Sequence, residues 1–225
     1  MNFMALADGP SAVIVIGGTA LATILRCGWR DGAAAMHSIA QLWQPGFDAD
    51  KARAGLAVQV QDIARDGILR AQPHHSGDAE FDEATDAMLE RRSVGALLAA
   101  HESHRDRRVA ASTRAVRFLA AAAELAPVFG LAGTLVSLSQ LPADGVAKGA
   151  MTGAISMAVV TTLYGLLLAN LLLAPLARMV ERAAEAEEAG RQHLTDWLAG
   201  QVEASLAPSP PRPARKLAAV GQDAA

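Results

Sequence analysis

Few side chains in this sequence have chemistry to offer. His101, Glu102 and His104 come first, because residues three apart share a helix face and can hold a metal together. No third ligand follows at a telling spacing, and Arg105, Arg107 and Arg108 would repel a cation. A metal site is therefore not expected. His74 and His75 read as solvated loop residues, and Cys27, beside Arg26 and Arg30, as an inert thiol at a membrane boundary. A single cysteine also rules out an intrachain disulfide and any cysteine-rich metal centre. No nucleophile with its base, no phosphate loop and no zinc signature is present, so neither catalytic residues nor a cofactor are expected.

What remains is a set of hydroxyls in apolar surroundings. Gly130, Gly133, Thr134 and Ser137 fall three or four residues apart, which puts them on one helical face that is small and weakly polar. Ala154, Ala158, Thr162, Gly165 and Ala169 make a comparable stripe, with Thr161 beside it. Small residues let helix backbones approach closely in lipid, so Gly130, Gly133, Gly165 and Ala169 are expected to pack helices. A threonine hydroxyl can bond back to its own helix or offer oxygen to something passing. Both uses point these faces inward. The only carboxylate in the apolar stretches, Glu124, lies near the end of one of them, where it can reach the headgroups. If protons cross here, a partner helix must supply the acid.

The elements that position these groups are membrane helices. Residues 118–141 and 150–177 are each long enough to cross a hydrocarbon core of about 30 Å, which takes roughly 20 residues. The short loop 142–149 makes them an antiparallel hairpin. Residues 10–28 form a shorter apolar segment followed, not preceded, by arginines, which is the reverse of a signal peptide and fits a further span. Arg26, Arg30, Arg114, Arg117, Arg178 and Arg182 all flank what would be the cytoplasmic ends, while the outer loop has only Lys148. The expected fold is all-α and polytopic, with three transmembrane helices and the N terminus (1–9) outside. A helical cytoplasmic domain (29–117), a cytoplasmic helix (178–206) and a proline-rich disordered tail (207–225) complete it.

Within 29–117, residues 50–69 and 81–98 read as amphipathic helices, and the second span extends into the cytoplasm because no proline or glycine separates it from Arg105. Pro127 and Pro175 sit near the cytoplasmic ends of the hairpin helices, where a proline removes a backbone bond and can make a hinge. A hydrophobic fraction of 52% with only 4% aromatic residues favours helices, and a formal net charge of -3 offers no basic surface for nucleic acid.

The run Ala126-Pro127-Val128-Phe129-Gly130-Leu131-Ala132-Gly133-Thr134-Leu135 resembles the signature of the MotA/TolQ/ExbB proton-channel family. Thr161-Thr162-Leu163-Tyr164-Gly165, Leu168-Ala169-Asn170 and Ala174-Pro175-Leu176-Ala177 are similar to the last span of its MotA-type stator branch, and Val15-Ile16-Gly17-Gly18-Thr19 to an earlier one. The resemblance implies a bacterial inner-membrane ion-channel subunit for protons or sodium. It implies five copies around a dimer of a MotB-, ExbD- or TolR-like single-span protein whose membrane aspartate carries the ion. Thr134 and Thr162, with Thr161 grouped beside them, would line its path, and Pro127 and Pro175 would couple ion flow to movement. The surrounding partner is membrane lipid, and a flagellar rotor would be met through Arg65 and Arg70.

Departures from the pattern are equally specific. MotA-type proteins usually have four spans, and three with an outside N terminus is the TolQ/ExbB arrangement. Against that branch, Met157 stands where TolQ and ExbB usually place a glutamate. In the segment that would touch a rotor, Ala64 and Gln72 replace the expected arginine and glutamate, which weakens the charge complementarity of such a contact. A stator subunit is the first expectation; a TolQ/ExbB-like energiser of envelope transport, or a non-conducting oligomeric scaffold, is the alternative.

Overall fold

A computed structural model describes residues 9–67, 70, 76–139 and 148–206. The expected tail, most of the outer loop, the first eight residues, Gln72, His74 and His75 lie outside the described residues.

Every element among the described residues is a helix. Helix α1 is built of three contiguous stretches, Gly9–Ala12, a wide π-helical Val13–Gly17 and Gly18–Cys27. Gly28 follows with φ 93°, a left-handed conformation open to glycine at little cost, and the chain turns by 116° into α2, Trp29–Gln41. Helix α3 spans Ala49–Asp66 and α4 spans Ala79–Arg91. Helix α5 is unbroken from Val94 to Ser139, on the order of 70 Å at about 1.5 Å per residue. Helix α6 runs through Lys148–Leu167, a π-helical Leu168–Leu173 and Ala174–Leu206.

The caps explain where α3 and α4 start and stop. Asp48 accepts the backbone N–H of Lys51 at the head of α3, and Asp78 accepts those of Glu80 and Phe81 at the head of α4. Residues 81–98, expected as one helix, are two. Arg92 is left-handed with φ 53°, Ser93 donates its N–H to the Met88 carbonyl, and the Ser93 hydroxyl then caps α5 through the Gly95 N–H. Helix α2 falls within the stretch 29–117 expected to be helical, although no particular helix was placed there. The expected helical extension of the second apolar stretch toward its N-terminal side is present as α5.

Among the described residues two helices are long and apolar enough to cross a membrane, α5 and α6; the α1–α2 pair passes the same test only when taken together across its bend. Two cores hold the molecule. Leu56, Ile63, Phe81, Met88, Leu97, Leu194, Leu198 and Val202 bring α3 and α4 onto the polar ends of α5 and α6, the N-terminal end of α5 and the C-terminal end of α6. A smaller collar of Ala35, Ala115, Leu119, Ala177 and Val180 packs α2 where α5 and α6 enter the hairpin. Above the collar the outward faces are apolar and uncovered, as at Leu135, Val159 and Leu171.

Candidate functional site

The hairpin is closed by glycine. At Gly165 an added Cβ would lie 2.7 Å from the Ala126 carbonyl oxygen, 3.0 Å from Gly130 Cα and 3.2 Å from Pro127 Cα. At Gly130 it would meet the Thr161 carbonyl oxygen at 3.1 Å and the Gly165 and Thr162 Cα atoms at 3.3 Å. The two backbones touch here, which only residues without side chains permit. One turn further on, Gly133 faces the Thr161 side chain, whose Cβ and Cγ2 lie 2.9 Å from where its own Cβ would be. Ala169 is buried within the π-helical turn of α6. Pro127 therefore sits in the crossing, whereas Pro175 is exposed and directly follows that turn. A π-helical turn shifts the bonding pattern by one residue, which helps a helix absorb the N–H that a proline lacks.

The three threonines divide. Thr161 is fully buried between the helices, and its hydroxyl reaches the Met157 and Ala158 carbonyls at 3.1 and 2.9 Å. That burial sets it apart from Thr134 and Thr162, with which the sequence grouped it. Thr134 and Thr162 are only half-buried, donating to the Leu131 carbonyl at 2.6 Å and the Ala158 carbonyl at 3.1 Å. Each hydroxyl hydrogen is spent on its own helix, so each oxygen keeps lone pairs to offer. Such an oxygen can accept from a hydrated proton or coordinate a sodium ion. It cannot carry the ion alone, and residues 125–141 and 150–177 contain no aspartate or glutamate. Glu124 is engaged elsewhere, with the Arg26 guanidinium at 3.3 Å tying α1 to α5.

A second polar centre, which the sequence did not reveal, joins α4, α5 and α6 in the helical domain beyond the hairpin. Arg191 holds Asp78 at 3.0 Å and Glu187 at 2.9 Å, and its guanidinium lies 4.3 Å from the centre of the Phe47 ring. Arg108 pairs with Glu188 at 2.9 Å and with Glu80. Burial alone would raise the Asp78 pKa, but the hydrogen bond and charge of Arg191, with two backbone N–H groups, bring it below the ordinary value. Arg191 is raised in turn, its burial outweighed by bonds to Asp78 and Glu187. The expected rotor-facing residues lie apart from this centre: Arg65 is exposed in the last turn of α3, and Arg70 is exposed in the turn after it. Ala64 is exposed beside Arg65.

His101, first weighed as a metal ligand, is buried in that centre against Phe81. Its Nε2 stands 3.3 Å from Gln192 Oε1 and its Nδ1 3.1 Å from the Thr195 hydroxyl, which also donates to the Arg191 carbonyl at 2.9 Å. Burial, reinforced by the Arg108 charge, lowers its pKa from 6.5, against the opposing pull of Gln192, Glu188 and Glu102. His104 instead meets Glu83 at 3.1 Å, and no group of three metal-ligating side chains occurs among the described residues. Because the folded state binds the His101 proton less readily than the unfolded chain, its contribution is complete above pH 6.5 and is lost as pH falls below it. Thermal stability should therefore drop between about pH 7 and about pH 5, by at most ~1.4 kcal/mol per pH unit for one proton, and His101→Gln should flatten that slope. Unfolding scans across this range check it.

Comparison with known proteins covers most of the chain. The model of the MotA/TolQ/ExbB proton channel family matches residues 74–193. Motility protein A of Cereibacter sphaeroides is 25% identical over 206 residues, 86% of this chain and 77% of that protein. Motility protein A of Borreliella burgdorferi is 40% identical over 67 residues, 30% of this chain and 25% of that protein. The fold is similar to those of C. jejuni MotAB and of the flagellar MotAB stator complex from Bacillus subtilis. Each superposes with a TM-score of 0.77 at 18% identity, over 90% of this chain and 81% of theirs.

Proposed function

The chain belongs to the MotA/TolQ/ExbB proton channel family, and from that premise we propose that it is the ion-conducting subunit of a MotA-like stator in the bacterial inner membrane. It spans the membrane three times, with α1 first and the N terminus outside. Five copies surround a dimer of a single-span partner whose membrane aspartate moves the proton or sodium ion. Ion flow then becomes mechanical work, and no enzymatic step is involved. Thr134 and Thr162 line the ion's path, and Pro127 and Pro175 let the hairpin helices bend as it passes.

The observation that carries this reading is the character of the hairpin. Two half-buried hydroxyls present acceptor oxygens on apolar stretches, 125–141 and 150–177, that contain no acid of their own, so the acid of a proton or sodium pathway is left for a partner to bring. Resemblance to two motility proteins and to two stator complexes supports the same assignment. The load is less constrained. Exposed Ala64, in the segment that would meet a flagellar rotor, favours a TolQ/ExbB-like energiser as the second reading.

Affinity purification from native membranes in mild detergent, followed by native mass spectrometry, tests the assembly. Five copies with two of an aspartate-bearing, peptidoglycan-binding protein are expected. Two of an ExbD- or TolR-like protein would move the function to envelope energisation, and a homo-oligomer with neither would leave a scaffold. The pathway itself separates two adjacent residues. Thr162→Val should reduce ion flux roughly ten- to hundredfold with assembly intact, the cost of one hydrogen bond to a charged species of about 1.5–3 kcal/mol. Thr161→Val should leave flux per assembled complex unchanged and cost only about 1 kcal/mol of stability. Equal loss of flux in both would remove the distinction.

A further inference from the structure

We propose that Asn170, in the π-helical turn of α6, is an exit site on the ion's path, the oxygen ligand that receives a proton or sodium ion after Thr162 and hands it to the cytoplasm. It is the only residue with a side-chain amide in 150–177, a stretch without any charged residue, and it is exposed on the helix surface. A carboxamide turned to acyl chains would find no partner there, so this face of α6 is one that water or an ion reaches.

Two oxygens of this one residue are available. The side-chain nitrogen donates to the Leu166 carbonyl at 3.0 Å; a carbonyl only accepts, so the NH2 group is fixed there and Oδ1 keeps its lone pairs to offer. The backbone supplies the second. Ala174 donates its N–H to the Ala169 carbonyl, a step of five residues, and in that register the donor for the Asn170 carbonyl is residue 175, a proline with no N–H to give. Carbonyls released where a membrane helix departs from α geometry are recurrent ligands of sodium ions and protons. Pro175 thus acts by withholding a donor as well as by bending. The wide turn also aims the residue. Asn170 follows Thr162 by eight residues, two turns of 3.6 and less than one residue more, and a turn with i→i+5 bonds takes back part of that excess. The two therefore stand near one face, about 12 Å apart along the axis, with Asn170 on the side of Arg178.

The inference rests on the channel reading proposed above, and the test keeps the two apart. The complex purified from native membranes is reconstituted in vesicles, and inward flux is followed with a pH-sensitive dye and with labelled sodium. Asn170→Leu keeps the volume and removes both polar groups of the amide. It should lower flux of the conducted ion roughly tenfold, the effect of one hydrogen bond to a charged species. It should also raise severalfold the ion concentration at the cytoplasmic face that halves inward flux, while half-saturation from the outer face stays as in the parent. Asn170→Ser returns an acceptor oxygen of the kind Thr162 offers and should recover most of the flux. Reduced flux with cytoplasmic half-inhibition unchanged would mean that the amide only shapes the helix, and unchanged flux that it lies off the path. Loss of the pentamer in Asn170→Leu would mean that it bonds a neighbouring helix. Each of these overturns the proposal. A parent complex that conducts neither ion removes the channel reading and this inference with it, whereas loss of flux in Thr162→Val but not in Asn170→Leu removes Asn170 alone.

Discussion

Gly165→Ala is expected to abolish ion-coupled function. One methyl group at this position would stand 2.7 Å from the Ala126 carbonyl oxygen and 3.0 Å from Gly130 Cα, and both are backbone atoms that cannot swing aside as a side-chain tip can. Helices α5 and α6 must then separate or slide at their closest point. Overpacking of this kind costs about 1–3 kcal/mol in an ordinary core. Here it also displaces Thr162, whose Cα lies within the same contact, and so disturbs the hydroxyl proposed to line the path. Gly153→Ala is the control. It lies in the same helix, nothing approaches its Cβ position within 4 Å, and alanine is the better helix former. Ion flux and native mass spectrometry of both variants decide the point: loss of flux and of assembled pentamer in Gly165→Ala alone is the expected result. Equal behaviour of the two would mean that the hairpin is looser than its geometry.

The second large effect is expected in the cytoplasmic domain. Arg191→Met should destabilise it by ~2–4 kcal/mol, below the ~3–5 kcal/mol of a fully buried broken pair because Glu187 keeps contact with water. The substitution strands Asp78 and Glu187 and removes the cation from the Phe47 ring. Asp78 also caps α4, so the damage should be local to that helix. Hydrogen exchange checks this directly. Amides of α4 should exchange markedly faster, while those of α5 between Ala126 and Ser137 stay protected. Uniform acceleration along the chain would show instead that hairpin and cytoplasmic domain unfold as one unit.

Much of the hairpin was legible because its signals are local. An apolar run of sufficient length marks a span whatever surrounds it, and a glycine at every third or fourth position marks a close approach, as Gly130, Gly133 and Gly165 do. Helix α2 was invisible for a related reason. Its polar residues Arg30, His37 and Gln41 do recur at helical spacing, but Gly28 and Gly32 interrupt the run and no apolar stretch of span length marks it. A search for a stripe containing tryptophan could have found it.

The polar centre of the cytoplasmic domain shows the opposite case. Arg191 and Asp78 are 113 residues apart, and each stands in a charged stretch that resembles an ordinary solvated face. Nothing local distinguishes a buried arginine from an exposed one.

By itself the sequence determined the helical class, the apolar hairpin, the lack of an acid beyond Glu124 at its edge and the small residues that let it close. Those depend on composition and spacing along one helix. The tertiary structure alone decided that Thr161 packs while its neighbour Thr162 stays half open, that Glu124 is held by Arg26, and that His101 is buried as a neutral ring. Successive residues on a helix point about 100° apart, and which of those directions meets a partner is set by the other helices, not by the residue's own surroundings in the chain.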